Sequence, residues 1–163
     1  VLVVTERFTD RIVTYVLGAD GNPLAAKVQP SQGVTPFGFD FDAKGRLLVS
    51  EASGGADGAS SVSSYDIGAD GTLTPLTSAL ATGESAACWL VTTPHQSFAY
   101  VTNTASDTVS GLAISDMGQL GLVGRDGALA TAGDGPIDAG ISREGRFLFV
   151  LNGGDDSIGA YFI

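Results

Sequence analysis

Cys88 and His95 are the single cysteine and the single histidine of the chain, and a thiol beside an imidazole makes a nucleophile with its base. Their spacing works against that pairing. Cys88 lies near the start of the apolar run Ala87-Cys88-Trp89-Leu90-Val91, and His95 sits in the turn Pro94-His95-Gln96-Ser97 at its far end. In an extended chain the two lie roughly 20 Å apart, whereas proton transfer needs about 3 Å. Cys88 therefore reads as a small buried hydrophobe and His95 as a solvated turn residue. With one of each, an internal disulfide, a cysteine-based zinc site and any site needing two imidazoles are excluded.

Three further patterns resemble chemistry and fall short of it. Asp40-Phe41-Asp42-Ala43-Lys44-Gly45, followed by Glu51, matches four positions of a calcium-binding EF-hand loop. Lys44, however, puts a cation where a ligand belongs, and the flanking runs alternate as strands do. Gly83-Glu84-Ser85-Ala86-Ala87 partly matches a nucleophile elbow but lacks its last glycine and the helix that follows. Gly133-Asp134-Gly135 lacks the strand-to-helix context of a phosphate loop. The last two read as turns. No catalytic residue, metal site or cofactor is assigned.

The elements that position these residues repeat. Leu2 to Glu6, Leu47 to Glu51, Ala99 to Asn103 and Phe149 to Asn152 are alike, and their last positions, 6, 51, 103 and 152, are spaced by 45, 52 and 49 residues. A second alternating run follows each, with Tyr15, Tyr65, Leu112 and Tyr161 in one position. Turns at Asp20-Gly21, Asp70-Gly71 and Met117-Gly118 come next; Asp-Gly between such runs signals a tight hairpin with both central residues at positive φ. The runs Leu24 to Val28, Leu73 to Leu80 and Leu120 to Val123 follow. A loop marked by Gly or Pro then leads into a run at 37–41, 89–92 or 137–141. Four short strands per unit of about 49 residues is the spacing of a β-propeller blade. The sequence thus predicts an all-β propeller of about fourteen strands, with no helix beyond one or two turns. Its parts are a partial blade at 1–30, blades at 31–82 and 83–132, and a partial blade at 133–163. That is about three and a half blades.

Composition limits the partners. The formal net charge is −10, and 8 basic residues are scattered singly among 18 acidic ones, so the clustered cations that a nucleic-acid backbone needs are missing. No apolar run approaches the roughly 18 residues of a membrane helix. The acidic surface suits a soluble protein and is compatible with a secreted or periplasmic one; the compartment itself is not encoded here.

Phe41-Asp42-Ala43-Lys44-Gly45-Arg46-Leu47-Leu48-Val49 and Ser142-Arg143-Glu144-Gly145-Arg146-Phe147-Leu148-Phe149-Val150-Leu151-Asn152 resemble the Ser-Pro-Asp-Gly-Arg-Phe-Leu-Tyr-Val-Ala-Asn signature of lactonase-family propellers. That family includes 6-phosphogluconolactonase-like and carboxymuconate cyclase-like proteins. The stretch from Asp70 to Pro75 resembles its blade-ending turn. The resemblance implies a seven-bladed ring, of which this chain is about half. It also implies a lactone-ring hydrolase or cycloisomerase acting at the channel mouth. Lactonases of the family often carry a Pro-Arg-His-like stretch where an inner strand begins; here those places read Pro36-Phe37-Gly38, Ala87-Cys88-Trp89 and Pro136-Ile137-Asp138. No catalytic residue carries over, and a non-catalytic ligand- or protein-binding scaffold stands as the alternative.

Propeller geometry places the loops before each inner strand, and the turns between second and third strands, on one face around the channel mouth. Phe37, Glu84, Trp89 and Asp138, with Thr35 and Asp134, are expected there from the first set. Glu51, Asn103 and Asn152, with Asp155, are expected from the second. Carboxylates, carboxamides and an aromatic wall suit a small polar or carbohydrate-like ligand. The absence of Arg and Lys from these positions argues against an anionic one. Apolar flanks at both ends of the half-ring imply a covering partner, either the remainder of a propeller or a second copy of the chain.

Overall fold

The structure is a computed structural model that describes residues 1–94 and 97–163, with Arg125 and Asp126 described in their backbone only. His95 lies outside the described residues. The strands are β1 (Leu2–Glu6), β2 (Arg11–Leu17), β3 (Pro23–Pro30), β4 (Pro36–Phe41), β5 (Leu47–Glu51), β6 (Ser61–Ile67) and β7 (Leu73–Ala81). They continue as β8 (Ala87–Thr92), β9 (Phe98–Asn103), β10 (Thr108–Ile114), β11 (Leu120–Thr131), β12 (Pro136–Ile141), β13 (Phe147–Asn152) and β14 (Ser157–Phe162). The helical content among the described residues is one short 3₁₀ turn, Ser53–Gly55.

The strands form four antiparallel meanders, β1-β2-β3, β4-β5-β6-β7, β8-β9-β10-β11 and β12-β13-β14. The innermost strands β4, β8 and β12 neighbour one another, which sets the sheets radially as propeller blades. Because strand side chains alternate between faces, β5 serves two interfaces at once. Leu47 and Val49 pack with Val3, Ile12 and Tyr65 of the first two sheets, and Leu48 packs with Leu90, Val101 and Leu112 of the third. All of Leu47–Glu51 is consequently buried, whereas β13 alternates, with Leu148 and Val150 buried and Phe147, Phe149 and Leu151 exposed on a flank that no other sheet of this chain covers. Inner strands approach backbone to backbone. A Cβ on Gly38 would lie 2.4 Å from the Cys88 carbonyl oxygen, and the Ser50 hydroxyl reaches the carbonyls of both Gly38 and Cys88 at 3.1 Å. Cys88 itself is half-buried rather than enclosed.

Two local expectations change. The Asp-Gly turns are not tight two-residue hairpins: Gly21 and Gly71 alone take positive φ, at 79° and 80°. The wider turn closes from Gly18 N–H to the Asn22 carbonyl and from Gly68 N–H to the Thr72 carbonyl. The aspartate side chain shapes it by accepting the backbone N–H two residues on, Asn22 at 3.1 Å and Thr72 at 3.0 Å. The other change is in β11, which runs on to Thr131 instead of stopping at Val123. Gly111 pairs with Val123 and Ser110 with Ala128, so residues 124–127 bulge out of the ladder. Gly124 and Gly127 supply the positive φ values of 96° and 79° that the detour needs.

On the side away from the mouth, the turn between β4 and β5 is tied by charge. Asp42 accepts the N–H groups of Lys44 and Arg46 at 2.9 Å and the Arg46 Nε at 2.6 Å. Arg46 also donates to the Asp116 carbonyl of the next blade at 2.9 Å. Burial pushes the Asp42 carboxyl up, but hydrogen bonds from Arg46 and Lys44 and the guanidinium charge outweigh it, leaving the group below its ordinary value. A depressed folded pKa stabilises above the unfolded value, and that contribution is lost as pH falls through the folded one. We expect the denaturation midpoint to drop as pH falls below the ordinary carboxylate range and on through the depressed folded value of Asp42. Asp42→Asn should lower stability at neutral pH and flatten part of that acid slope, measured by urea unfolding across the range.

Candidate functional site

Three equivalent loops enter the inner strands, and each passes through a left-handed residue just before its strand: Thr35, Ala86 and Gly135, at φ 59°, 55° and 59°. The carbonyls there accept the N–H groups of Ala52, Thr104 and Gly153, the residues that follow β5, β9 and β13. Loop and turn are thus clamped together on one face in each unit, as blade geometry requires.

Beneath the clamp each unit holds a polar side chain at the end of its second strand. Glu51 is fully buried, and its carboxylate accepts from Ser31 Oγ at 3.0 Å, Gly33 N at 2.8 Å, Ser61 Oγ at 2.5 Å and Ser63 Oγ at 2.7 Å. In the next unit the position of Gly33 is taken by Glu84 and that of Glu51 by Asn103. Glu84 accepts from Thr108 Oγ1 at 2.7 Å, and Asn103 Nδ2 donates to Thr108 at 3.1 Å and Ser110 at 2.9 Å. In the last unit Gly133 faces Asn152, which donates to Ser157 Oγ at 3.0 Å. A Cβ on Gly33 would crowd the Glu51 carboxylate, and one on Gly133 would lie 2.6 Å from the Asn152 amide. The second unit places its acid on the strand, as Glu51, and the third on the loop, as Glu84.

Glu51, Asn103 and Asn152 are therefore anchors of the turns, at 0%, 0% and 2% exposure, and Glu84 is buried with them. None of the four offers its polar group to an open surface. Asp138 is exposed, but it lines a different groove, on the uncovered flank with Ala139, Phe149, Leu151 and Ile158. Asp134 and Asp155 meet each other, Asp155 accepting the Asp134 N–H at 3.3 Å.

Phe37 and Trp89 do come together. They line an open groove of about 270 Å³ with Thr5, Arg7 and Pro36, residues drawn from the first three sheets. Thr5 Oγ1 donates to the Phe37 carbonyl at 2.7 Å, joining β1 to β4 at the groove floor. The Arg7 guanidinium lies 4.4 Å from the Phe8 ring centre and 5.6 Å from that of Phe37. The mouth thus carries a cation that was not expected there. Arg7 belongs to the turn after β1, equivalent to the turns after Glu51, Asn103 and Asn152; the repeat spacing alone could have located it.

Four radial sheets with neighbouring inner strands define half of a propeller ring. The chain belongs to the lactonase family of seven-bladed β-propellers, whose family model matches residues 55–163. It is similar in fold to a Lactobacillus plantarum protein, with TM-score 0.80 and 19% identity over 99% of this chain and 50% of that one. It is also similar to a Bacteroides uniformis protein named as a candidate 6-phosphogluconolactonase, at TM-score 0.78 and 18% identity over 98% of this chain and 46% of the other. A third similar structure is the periplasmic gluconolactonase of Pseudomonas aeruginosa, at TM-score 0.66 and 23% identity over 94% and 46%. The chain spans about half the length of these structures. No curated protein matches it in sequence.

Removing the Glu51 carboxylate strands four donors in a closed site. Glu51→Ala should cost about 3 kcal/mol or more, since unmet buried groups cost roughly 1–3 kcal/mol each and a cavity adds to that. Glu51→Gln should lose less. Urea unfolding of the three proteins checks the order.

Proposed function

We propose that the protein is a lactone-ring hydrolase or cycloisomerase and that the Arg7 groove is part of its ligand site at the channel mouth. Family membership supports the class of reaction. The observation that carries the location is Arg7 beside Phe37 and Trp89 in a groove built by three blades. A guanidinium at that place can hold the ligand's carboxylate or carbonyl oxygen. It can also stabilise the negative charge that develops when a lactone carbonyl is attacked. The aromatic rings supply a flat apolar wall that fixes the ligand's orientation. The remaining blades of a ring, packed on the apolar flanks, would complete the wall of the mouth and contribute the other reacting groups.

A second reading, a non-catalytic binding propeller, draws on a specific feature. No carboxylate lines this groove among the described residues, and the nearby Glu51 and Glu84 are occupied by serine and threonine hydroxyls.

Full-length protein should turn over members of a panel of sugar lactones and muconolactones. Arg7→Ala should lower kcat/KM by about 100-fold, the usual scale for losing one oxyanion donor. Turnover unchanged by the substitution would remove Arg7 from the site. Absence of turnover across the panel, with ligand binding retained, would establish the binding reading instead.

A further inference from the structure

We infer that Ser50 is a positioning residue of the mouth, its hydroxyl holding Phe37 and Trp89 in register across the interface between two blades. The geometry stands by itself; its consequence for turnover rests on the mouth being the ligand site, as proposed above.

Each inner strand breaks step with its neighbour at the same place. Pairing skips Phe37, Cys88 and Ile137, the residues that follow Pro36, Ala87 and Pro136, and a bulge of this kind re-aims the side chains around it. Peptide groups inside a bulge lose ladder partners and need others. The Cys88–Trp89 peptide is gripped at both ends. Its carbonyl accepts from Ser50 Oγ at 3.1 Å, and its N–H donates to Thr102 Oγ1 at 3.1 Å. The Phe37–Gly38 peptide is gripped in the same way, its carbonyl by Thr5 Oγ1 at 2.7 Å and its N–H by Ser50 Oγ at 3.1 Å. Because a peptide group is planar, fixing its two polar ends fixes the Cα atoms it joins.

Thr5, Ser50 and Thr102 are the next-to-last residues of β1, β5 and β9, so one hydroxyl position recurs from blade to blade. Of the three, Ser50 touches both peptides: the Phe37–Gly38 group in its own blade and the Cys88–Trp89 group in the next. A serine has one hydroxyl proton, and the Gly38 carbonyl, also at 3.1 Å, competes with that of Cys88 for it. In the first blade Thr5 gives its proton to the Phe37 carbonyl of the following blade, the counterpart of the Cys88 carbonyl. Ser50, acting likewise, spans the interface. Gly38 lets the strands come within reach of that hydroxyl, since an added Cβ would lie 2.8 Å from the Trp89 Cα. Ser50 is 0% exposed and meets no ligand. Its influence on the mouth runs through Phe37 and Trp89, which line the groove. Without the hydroxyl, the two aromatic residues are carried by strands that can shift independently.

Trp89 is the single tryptophan of the 163 residues, and a Trp89→Phe blank isolates its emission in full-length protein. Acrylamide quenching and anisotropy of that emission read the freedom of its ring with no ligand present. Ser50→Ala should raise the quenching and lower the anisotropy. Ser50→Thr keeps the hydroxyl and has its counterpart in Thr102, itself 1% exposed; it should restore both. Ser50→Cys, a weak donor of similar size, should fall between, and it carries the comparison if the alanine variant does not fold. Ser63→Ala is the control. That buried hydroxyl serves Glu51 and the Ala79 N–H, so the variant should lose stability without moving the Trp89 signal. On the lactone panel, Ser50→Ala should lower kcat/KM by about 10-fold to 100-fold, mostly in kcat, because a misplaced wall misorients the ligand. Trp89 unmoved by Ser50→Ala, moved equally by Ser63→Ala, or not restored by Ser50→Thr overturns the inference. Undiminished turnover in a folded Ser50→Ala protein overturns it too. A native protein that opens no lactone sinks the functional reading, while the Trp89 measurements still decide the role of Ser50.

Discussion

Face-to-face burial of one sheet against the next holds this molecule together, and Leu47, Leu48 and Val49 show its terms. An isolated four-stranded meander has two apolar faces and no core. It becomes stable only when both faces are covered, and the second sheet achieves this by sending Leu47 and Val49 one way and Leu48 the other. Where a neighbour exists on one side only, as for β13, the same kind of sequence leaves Phe147, Phe149 and Leu151 in contact with solvent. The radial stacking then dictates the rest. It brings the inner strands so close that Gly38 has no space for a side chain, and it gathers every loop before an inner strand on one face.

That face is where polar groups accumulate, and most of them serve the fold. Turning the chain between the second and third strands buries backbone and side-chain donors under the loop clamp, and buried donors need acceptors. One acid per unit meets the need in the second and third units, from the strand as Glu51 or from the loop as Glu84. The consequence for function is that these carboxylates are already spoken for. The groove lined by Phe37, Trp89 and Arg7 holds no carboxylate among the described residues.

The repeat was legible in the chain because blades are built from local alternation and local turns, which recur at a fixed spacing. Strand order, the blade-ending turns and the shared face of the loops follow from that spacing, and so do Phe37 and Trp89 as neighbours on adjacent inner strands. Burial of Glu51, Asn103 and Asn152 was not legible. A polar residue at a strand end looks the same in sequence whether it faces the mouth or folds under its own loop. The bulge at 124–127 was hidden for a related reason, since an outer strand's length is set by the partner it must span and not by its own apolar run.

The sequence by itself determined a four-stranded unit, its repetition, and the family signature that goes with it, because these depend on residues close together in the chain. Only the tertiary structure decided which side chains reach the open mouth. Arg7, Thr5, Phe37 and Trp89 lie on three different sheets, and their meeting depends on the angle and approach between blades, which no local pattern specifies. Within each blade, the entry loop clamped onto the turn after the second strand covers the polar side chain beneath it.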